Sequence, residues 1–216
     1  MQHALAVTEN NTKAHLNMAD YLKQEDKTDE SEAAPSPALE IDPEEVAGLI
    51  NLGNLLSKTD RAADAVQLFE KAETLEPENV NLLMSMGNHY QLQKEFDKAV
   101  SYYQKAIDIA PEEGKIYSNL AMVLTDQAQA LNADQQPSAA QQKLAEAYAT
   151  ANEAVNRKQT LDALDLANTY NTLGILNMIA KRPSEGLKFF KLAVEADPTH
   201  PGALSNLKRA QGSSPR

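Results

Sequence analysis

The chain has 216 residues, and its 20 Lys and Arg against 31 Asp and Glu give a formal net charge of −11 at pH 7. Because cysteine is absent, disulfides, thiol catalysis and Cys-ligated zinc or iron–sulfur sites are excluded. An acidic chain without a cluster of Lys and Arg is repelled by nucleic-acid phosphates and anionic lipids, and its apolar runs are too short to span a bilayer. β-Branched alternation is also absent, which predicts an all-α chain.

The first 45 residues predict one amphipathic helix followed by a poorly packed segment. Residues 4–11 have the composition of a helix end. The next predicted helix carries four inward side chains at helical spacing: His15, Met18, Ala19 and Leu22. Residues 25–37 contain five acids and two prolines. They predict a linker, or a helix broken at Ala34, because a Pro inside a helix costs about 3 kcal/mol.

Residues 46–79 predict a hairpin of two amphipathic helices. The inward side chains of the first helix are Leu49, Leu52, Gly53 and Leu56. Those of the second helix are Ala65, Phe69, Ala72 and Leu75, after which Pro77 ends the helix. The small residues Gly53 and Ala65 are expected at the crossing, where they let the two helices approach closely.

Residues 80–113 repeat this pattern with a period of 34 residues. The equivalent inward side chains are Leu83, Met86, Gly87, Tyr90, Ala99, Tyr103, Ala106 and Ile109. The prolines that separate the units follow the same period: Pro43, Pro77 and Pro111. Such a period predicts an internal repeat of helix hairpins.

This pattern resembles the tetratricopeptide repeat (TPR) family, whose repeat has the same length. The resemblance implies an all-α, right-handed α-solenoid of TPR helix hairpins, with the first helix of each hairpin lining a concave groove. It makes residues 46–79 and 80–113 two regular repeats and residues 12–45 a degenerate repeat that contains the acidic linker. Residues 1–11 then form the end of a preceding partial repeat, as expected of a piece of a longer array.

The register continues downstream with one long unit. Residues 114–166 predict an extended repeat, with a second helix over 139–157 in which Ala147, Ala151 and Ala154 face inward and Pro137 takes the first helical position. Residues 167–200 predict a further regular repeat, whose second helix starts at Pro183. The remaining segments are a capping helix over 201–211, with Leu204 and Leu207 inward, and a flexible tail over 212–216.

A row of polar residues follows the predicted groove. Position 6 of each unit holds a small or amide-bearing residue: Asn17, Asn51, Ser85, Asn119, Thr172 and Asn206. Asn54 and Asn88 stand at position 9, and Lys115 at position 2. The row is similar to the asparagine ladder in the TPR array of O-GlcNAc transferase, and the likeness implies that these nine residues bind the backbone of an extended peptide. Their amides are then expected to be dispensable for the core; the alternative is that Asn is simply frequent at this point of the repeat.

A carboxylate clamp, with which TPR chaperone adaptors hold acidic C-terminal tails, is not expected. Only Asn54 and Lys115 match its pattern. The four His residues form no metal-binding pair, and no phosphate-binding loop or nucleophile elbow occurs. We therefore expect no catalytic residue, no metal and no cofactor.

The resemblance implies a non-catalytic scaffold that binds a protein or an extended peptide, with no nucleic-acid partner, no direct membrane insertion and no predicted oligomer. Two alternatives stay open. The chain is a substrate-presenting TPR portion of a larger enzyme such as a glycosyltransferase, or it is a self-assembly module. The compartment is unknown: cytoplasmic by default, since no signal peptide or transmembrane segment is readable, and periplasmic or lumenal if the chain is a piece of a membrane protein.

Overall fold

The computed structural model describes residues 46–59 and 61–212, which form nine α-helices and one 3₁₀ turn, with no β-strand among them. This confirms the all-α fold class. The helices are α1 (Val46–Leu56), α2 (Ala62–Leu75), α3 (Val80–Leu92), α4 (Phe96–Ile109), α5 (Gly114–Ala133), α6 (Pro137–Asn156), α7 (Ala163–Ile179), α8 (Pro183–Ala196) and α9 (Pro201–Gly212). The predictions for 1–11 and 12–45, which include Asn17 and the acidic linker, and for residues 213–216 of the tail lie outside the described residues.

The described residues divide into two compact units, of which the first ends at Ser85 and the second begins at Met86, so the division falls within α3. In the first unit, α1 packs against α2. In the second unit, α5 packs against α6 and α7 packs against α8, so each pair forms a helix hairpin. The first helix of one hairpin also contacts the first helix of the next, since α5 contacts α7, and α7 contacts α9.

Three hairpin turns of the second unit end their first helix in the same way. Lys94, Gln135 and Lys181 have left-handed φ angles of 61°, 59° and 58°. The residue after each donates its N–H to a carbonyl near the end of the first helix, as Glu95 does to Tyr90 at 2.9 Å. This hydrogen bond defines a Schellman motif, which satisfies a carbonyl that the helix itself leaves free. The second helix can then begin one residue later.

The inward faces predicted for the second helices are largely confirmed by burial. The buried residues are Ala65, Phe69 and Ala72 in α2, Ala99, Tyr103 and Ala106 in α4, Ala147, Ala151 and Ala154 in α6, and Gly186, Phe190 and Ala193 in α8. The prediction is wrong for Leu75 and Ile109, which are exposed. Each is the last residue of its helix, with no following turn to cover it.

The long hairpin has helices of 20 residues each, and α6 begins at Pro137. The segment after α6 caps the start of α5. Thr160 lies in the 3₁₀ turn Lys158–Thr160, accepts the Gly114 N–H at 2.9 Å and donates to the Arg157 carbonyl at 2.8 Å. The additional length of this unit therefore satisfies a backbone donor at the N-terminus of its own first helix.

The last helix, α9, packs through alanine. Ala203 and Ala210 are its buried residues, whereas Leu204, which the sequence places inward, is 43% exposed. Adjacent residues of a helix are about 100° apart around its axis, so burial of Ala203 turns Leu204 away from α7 and α8.

Candidate peptide-binding surface

In the first unit, two of the predicted groove residues contact each other. Asn54 Nδ2 donates to Ser85 Oγ at 3.0 Å, and Ser85 is only 7% exposed. Asn51 lies half-buried on α1, on the same helix as Asn54. The structure thus places Ser85 inside the packing of this unit, where it is covered from solvent.

Asn88 and Asn119 meet at the hydroxyl group of Tyr103 in the second unit. The Tyr103 hydroxyl donates to Asn88 Oδ1 at 2.6 Å, and the Asn119 side chain hydrogen-bonds the same hydroxyl. Burial raises the pKa of Tyr103 well above its usual range, and the Asn119 bond partly opposes that shift. Asn88 and Asn119 are the polar partners of a fully buried phenol, which argues against the expectation that their amides are dispensable for the core.

Lys115 is paired with a carboxylate of the neighbouring first helix. Its Nζ lies 3.1 Å from Asp165 Oδ2, and the Asp165 side chain is 9% exposed. Beside this pair, the buried Thr169 hydroxyl lies 2.8 Å from Ser118 Oγ and 2.8 Å from the Asp165 carbonyl. At this point the contact between α5 and α7 is therefore polar and balanced in charge.

The amides that reach the surface between α7 and α9 differ from those predicted. Thr172 is 5% exposed and is covered from solvent. Three half-buried amides lie nearby and form what we call the amide row: Asn168, Asn171 and Asn206. Asn206 Nδ2 donates to Asn171 Oδ1 at 2.9 Å. The sequence analysis identified Asn206 but missed Asn168 and Asn171. They stand at positions 2 and 5 of their repeat, which the family geometry also directs toward the groove.

His200 holds one end of the amide row. Its Nδ1 accepts the Ala203 N–H at 3.0 Å, so the proton of the neutral ring is on Nε2. Nε2 then donates to Asn168 Oδ1 at 2.8 Å. Because the oxygens of Asn168 and Asn171 accept these bonds, their Nδ2 groups point elsewhere, and within the described part of the chain they donate to no protein group.

An apolar patch continues the amide row along α7. Asn168, Asn171, Ile175 and Ile179 follow one another at intervals of three or four residues, so they share one face of the helix, which we call the α7 stripe. Ile175 is half-buried and Ile179 is 40% exposed. The α7 stripe therefore offers amide hydrogens at one end and aliphatic surface at the other.

His89 is buried, and burial lowers its pKa, with a weaker opposing effect from Glu95. Within 46–59 and 61–212, no group of three or more His, Asp or Glu is arranged to hold a metal ion. Over the same residues, every helix is too short or too polar to cross a bilayer.

The helices form hairpins in which a short turn joins the two members of a pair, and first helices pack side by side. This arrangement defines a helix-hairpin repeat protein. Family models described as tetratricopeptide repeat match residues 46–79 and 79–153. The chain belongs to the tetratricopeptide repeat family, and it is a protein–protein interaction module of that family. No curated protein sequence matches the chain.

Solved structures of other TPR proteins share the fold at low sequence identity. PilW, described as a widely conserved type IV pilus biogenesis factor, is 20% identical with a TM-score of 0.64, over 77% of this chain and 69% of PilW. PilF of Pseudomonas aeruginosa is 17% identical with a TM-score of 0.59, over 77% of this chain and 68% of PilF. The first TPR domain of human RPAP3 is 20% identical with a TM-score of 0.50, over 63% of this chain and 92% of that domain.

Proposed function

We propose that the chain is a non-catalytic scaffold whose second unit binds an extended peptide segment of a partner protein across the α7 stripe. The observation that carries this proposal is the orientation of the Asn168 and Asn171 amides. Their oxygens accept bonds from His200 and Asn206, and among the described residues their Nδ2 groups donate to no protein acceptor. Two fixed donors on successive turns of one helix match the carbonyl oxygens of an extended backbone.

The aliphatic end of the α7 stripe supplies the apolar part of the contact. Ile175 and Ile179 lie one and two turns beyond Asn171. A peptide that bonds the amides through its backbone can therefore place an apolar side chain against the two isoleucines. The surface is preformed by contacts within the second unit, so a disordered partner bears most of the ordering entropy.

The proposed partner is a segment of low charge. The Lys115 ammonium group is balanced by Asp165 at 3.1 Å, so it adds little net positive charge beside α7. An acidic tail would also approach a chain whose formal net charge is −11. Recognition through amides and aliphatic surface is expected to depend little on salt.

A random library of 12-residue linear peptides tests this function with the full chain as bait. Peptides that are selected are then measured by fluorescence anisotropy against wild type and Asn171→Asp. That substitution keeps the oxygen that accepts from Asn206 but replaces the Nδ2 donor with a carboxylate oxygen. We expect about 2- to 10-fold weaker binding, corresponding to one lost hydrogen bond of about 0.5–1.5 kcal/mol.

Asn152→Ala is the matched control, because Asn152 is an amide on α6 that bonds the Tyr148 carbonyl within its own helix. This variant should bind as tightly as wild type. Equal affinities of wild type and Asn171→Asp, or selected peptides that also lose binding to Asn152→Ala, would contradict the assignment to the α7 stripe. Roles for Asn51 and Asn54 of the first unit stay predictions.

A further inference from the structure

We infer that Arg209 sets the hydrogen-bond polarity of the amide row, so that Asn171 presents a donor and the row takes acceptor atoms such as peptide carbonyl oxygens. Arg209 lies on α9, one turn after Asn206, and its Nη2 donates to Asn206 Oδ1 at 2.8 Å. This polarity is a property of the chain without ligand, and only its consequence for peptides rests on the proposed function.

The orientation of the Asn206 amide is determined by the chemistry of its neighbour. A guanidinium group carries N–H donors and no acceptor, so it bonds only the oxygen of an amide. Arg209 therefore holds Asn206 Oδ1 toward itself and leaves Asn206 Nδ2 for the other side. Because Nδ2 is a donor, the group that Asn206 meets on α7 has to be an acceptor.

Asn171 supplies that acceptor, and its own orientation follows. Asn206 Nδ2 donates to Asn171 Oδ1 at 2.9 Å, across the contact between α9 and α7. Asn171 Nδ2 is then the group left over, and it donates to no protein acceptor among the described residues. The three side chains form a relay whose hydrogen bonds all run from the cation on α9 to the amide on α7. Bonds aligned in this way polarise one another, which strengthens the last donor.

The last donor of the relay lies beside a residue without a side chain. A Cβ built on Gly202 would come within 3.8 Å of Asn171 Nδ2. Gly202 thus contributes no atom that covers this amide, and both residues are half-buried. An acceptor atom that approaches Asn171 next to Gly202 meets a donor that the relay has already oriented.

Asn168 has the same polarity for an independent reason. The Ala203 N–H can only donate, and it bonds His200 Nδ1 at 3.0 Å, so Nε2 is the nitrogen that donates to Asn168 Oδ1 at 2.8 Å. The two amides stand three residues apart on α7, where Cβ atoms are about 5–6 Å apart. Carbonyl oxygens on one edge of an extended peptide recur every second residue, about 6.6–6.8 Å apart. The row therefore suits two such carbonyl groups.

Substitution of Arg209 by residues of different hydrogen-bond chemistry tests the inference on the full chain without ligand. A scalar coupling across a hydrogen bond joins the donor nitrogen to the carbon of the acceptor group, so NMR of the ¹³C,¹⁵N-labelled chain reports the direction of the bond. In wild type we expect the coupling from Asn206 Nδ2 to Asn171 Cγ. The side chain in Arg209→Glu can only accept, so both amides should turn and the coupling should run from Asn171 Nδ2 to Asn206 Cγ. Arg209→Lys can only donate and should keep the wild-type direction.

Lys208→Glu is the matched control, because it makes the same change of charge at an exposed neighbour that has no hydrogen bond to the amide row in the described part of the chain. Its coupling should be that of wild type. Asn206→Asp serves if Arg209→Glu folds poorly: the new carboxylate accepts from Arg209 and can only accept from Asn171, so the coupling should start at Asn171 Nδ2. A wild-type coupling in the opposite direction, a coupling that is unchanged or absent in folded Arg209→Glu, or the same reversal in Lys208→Glu would each overturn the inference.

Peptide affinity separates this inference from the proposed function. A 12-residue peptide selected on the wild-type chain is measured by fluorescence anisotropy in 0.5 M NaCl, where charge effects at a distance are screened. We expect it to bind Arg209→Glu about 2- to 10-fold more weakly, the range for loss of one hydrogen bond, and to bind Arg209→Lys and Lys208→Glu within about twofold of wild type. If the coupling reverses and the affinity does not change, the relay is correct and the proposed function is wrong. If the coupling does not reverse, the inference is wrong whatever the affinity.

Discussion

Gly87 lies directly against the ring of Tyr103: a Cβ built on Gly87 would come within 2.6 Å of Tyr103 Cε2. The same relationship recurs between a first-helix glycine and the aromatic residue sixteen positions later in two other hairpins, Gly53 with Phe69 and Gly174 with Phe190. The sequence predicts that Gly53 meets the small residue Ala65 at a helix crossing. The structure shows that the nearest group is the ring, so the glycine makes room for an aromatic side chain that fills the hairpin core.

Gly174→Ala is expected to destabilise the chain. The new methyl group would lie 2.4 Å from the Phe190 ring, and overpacking of this kind costs about 1–3 kcal/mol, more than the helix propensity that Ala gains. The urea midpoint, followed by far-UV circular dichroism, measures the change. Gly212→Ala is the control, since a Cβ there meets no atom within 4 Å. If both variants have the wild-type midpoint, the packing assigned to Gly174 is wrong.

The helices could be predicted because their signals are local. Pro137 and Pro183 take the first helical positions of α6 and α8, as the sequence predicts. Proline fixes its own φ and lacks an N–H, so it marks a helix start wherever the fold places that helix. The left-handed turn at Lys94 had no such signal, because glycine is absent there and the surrounding Schellman bonds hold a lysine in that conformation.

The surface could be predicted only in part, because exposure at a repeat position depends on side chains from other helices. Asn119 and Thr172 share position 6, yet Asn119 is half-buried and Thr172 is buried. Whether an amide is available depends equally on distant groups. Asn88 has the spacing of a groove residue, but the Tyr103 hydroxyl reaches it at 2.6 Å. A spacing pattern determines which side of a helix a residue occupies. It does not determine which atoms of other helices lie within hydrogen-bond distance of that residue.

Asn88→Ala is expected to lower the free energy of unfolding by about 1–3 kcal/mol, because it removes an acceptor from a buried hydroxyl group. Tyr103→Phe removes the hydroxyl itself, so Asn88→Ala should cost less in that background. A double-mutant cycle from urea denaturation gives the coupling energy between the two sites. Additive effects of the two substitutions would show that the bond between Tyr103 and Asn88 contributes little to stability.

Lys181→Gly is expected to stabilise the chain by about 0.5–1 kcal/mol. Lys181 has a φ of 58°, and a left-handed conformation costs an L-residue about 1–2 kcal/mol. Glycine avoids this cost, but its larger conformational entropy in the unfolded state offsets part of the gain in stability. Lys188→Gly, at an exposed position inside α8, is the opposite control and should destabilise by about 1 kcal/mol. Thermal and urea midpoints report both. A loss of stability at Lys181 equal to that at Lys188 would contradict the strain argument.

The stability of the chain is expected to fall as the pH falls below about 6.5. Burial lowers the pKa of His89 from 6.5, so the folded state binds this proton less readily than the unfolded chain does. In the interval between the folded pKa and 6.5, the unfolded state holds more protons, and the free energy of unfolding increases with pH. Above that interval the contribution of His89 is complete. Urea midpoints from pH 7.5 to 5.0 should follow a shallower slope in His89→Gln, and parallel slopes would argue against a buried neutral ring.

Asp165→Asn is expected to change which peptides bind, because it leaves the charge of Lys115 unbalanced. In wild type the two groups lie 3.1 Å apart, and the Lys115 side chain is 41% exposed. A peptide selected on the wild-type chain, extended by two aspartates, should bind Asp165→Asn about two- to fivefold more tightly than it binds wild type in 50 mM NaCl, the range of an exposed ion pair. The gain should disappear in 0.5 M NaCl, where the screening length is about 4 Å.

Lys115→Met in the Asp165→Asn background removes the freed charge and should abolish the gain at both salt concentrations. Fluorescence anisotropy with the parent and extended peptides measures all these affinities. If the extended peptide gains nothing from Asp165→Asn at low salt, the pairing of Lys115 with Asp165 does not determine the preference for uncharged partners.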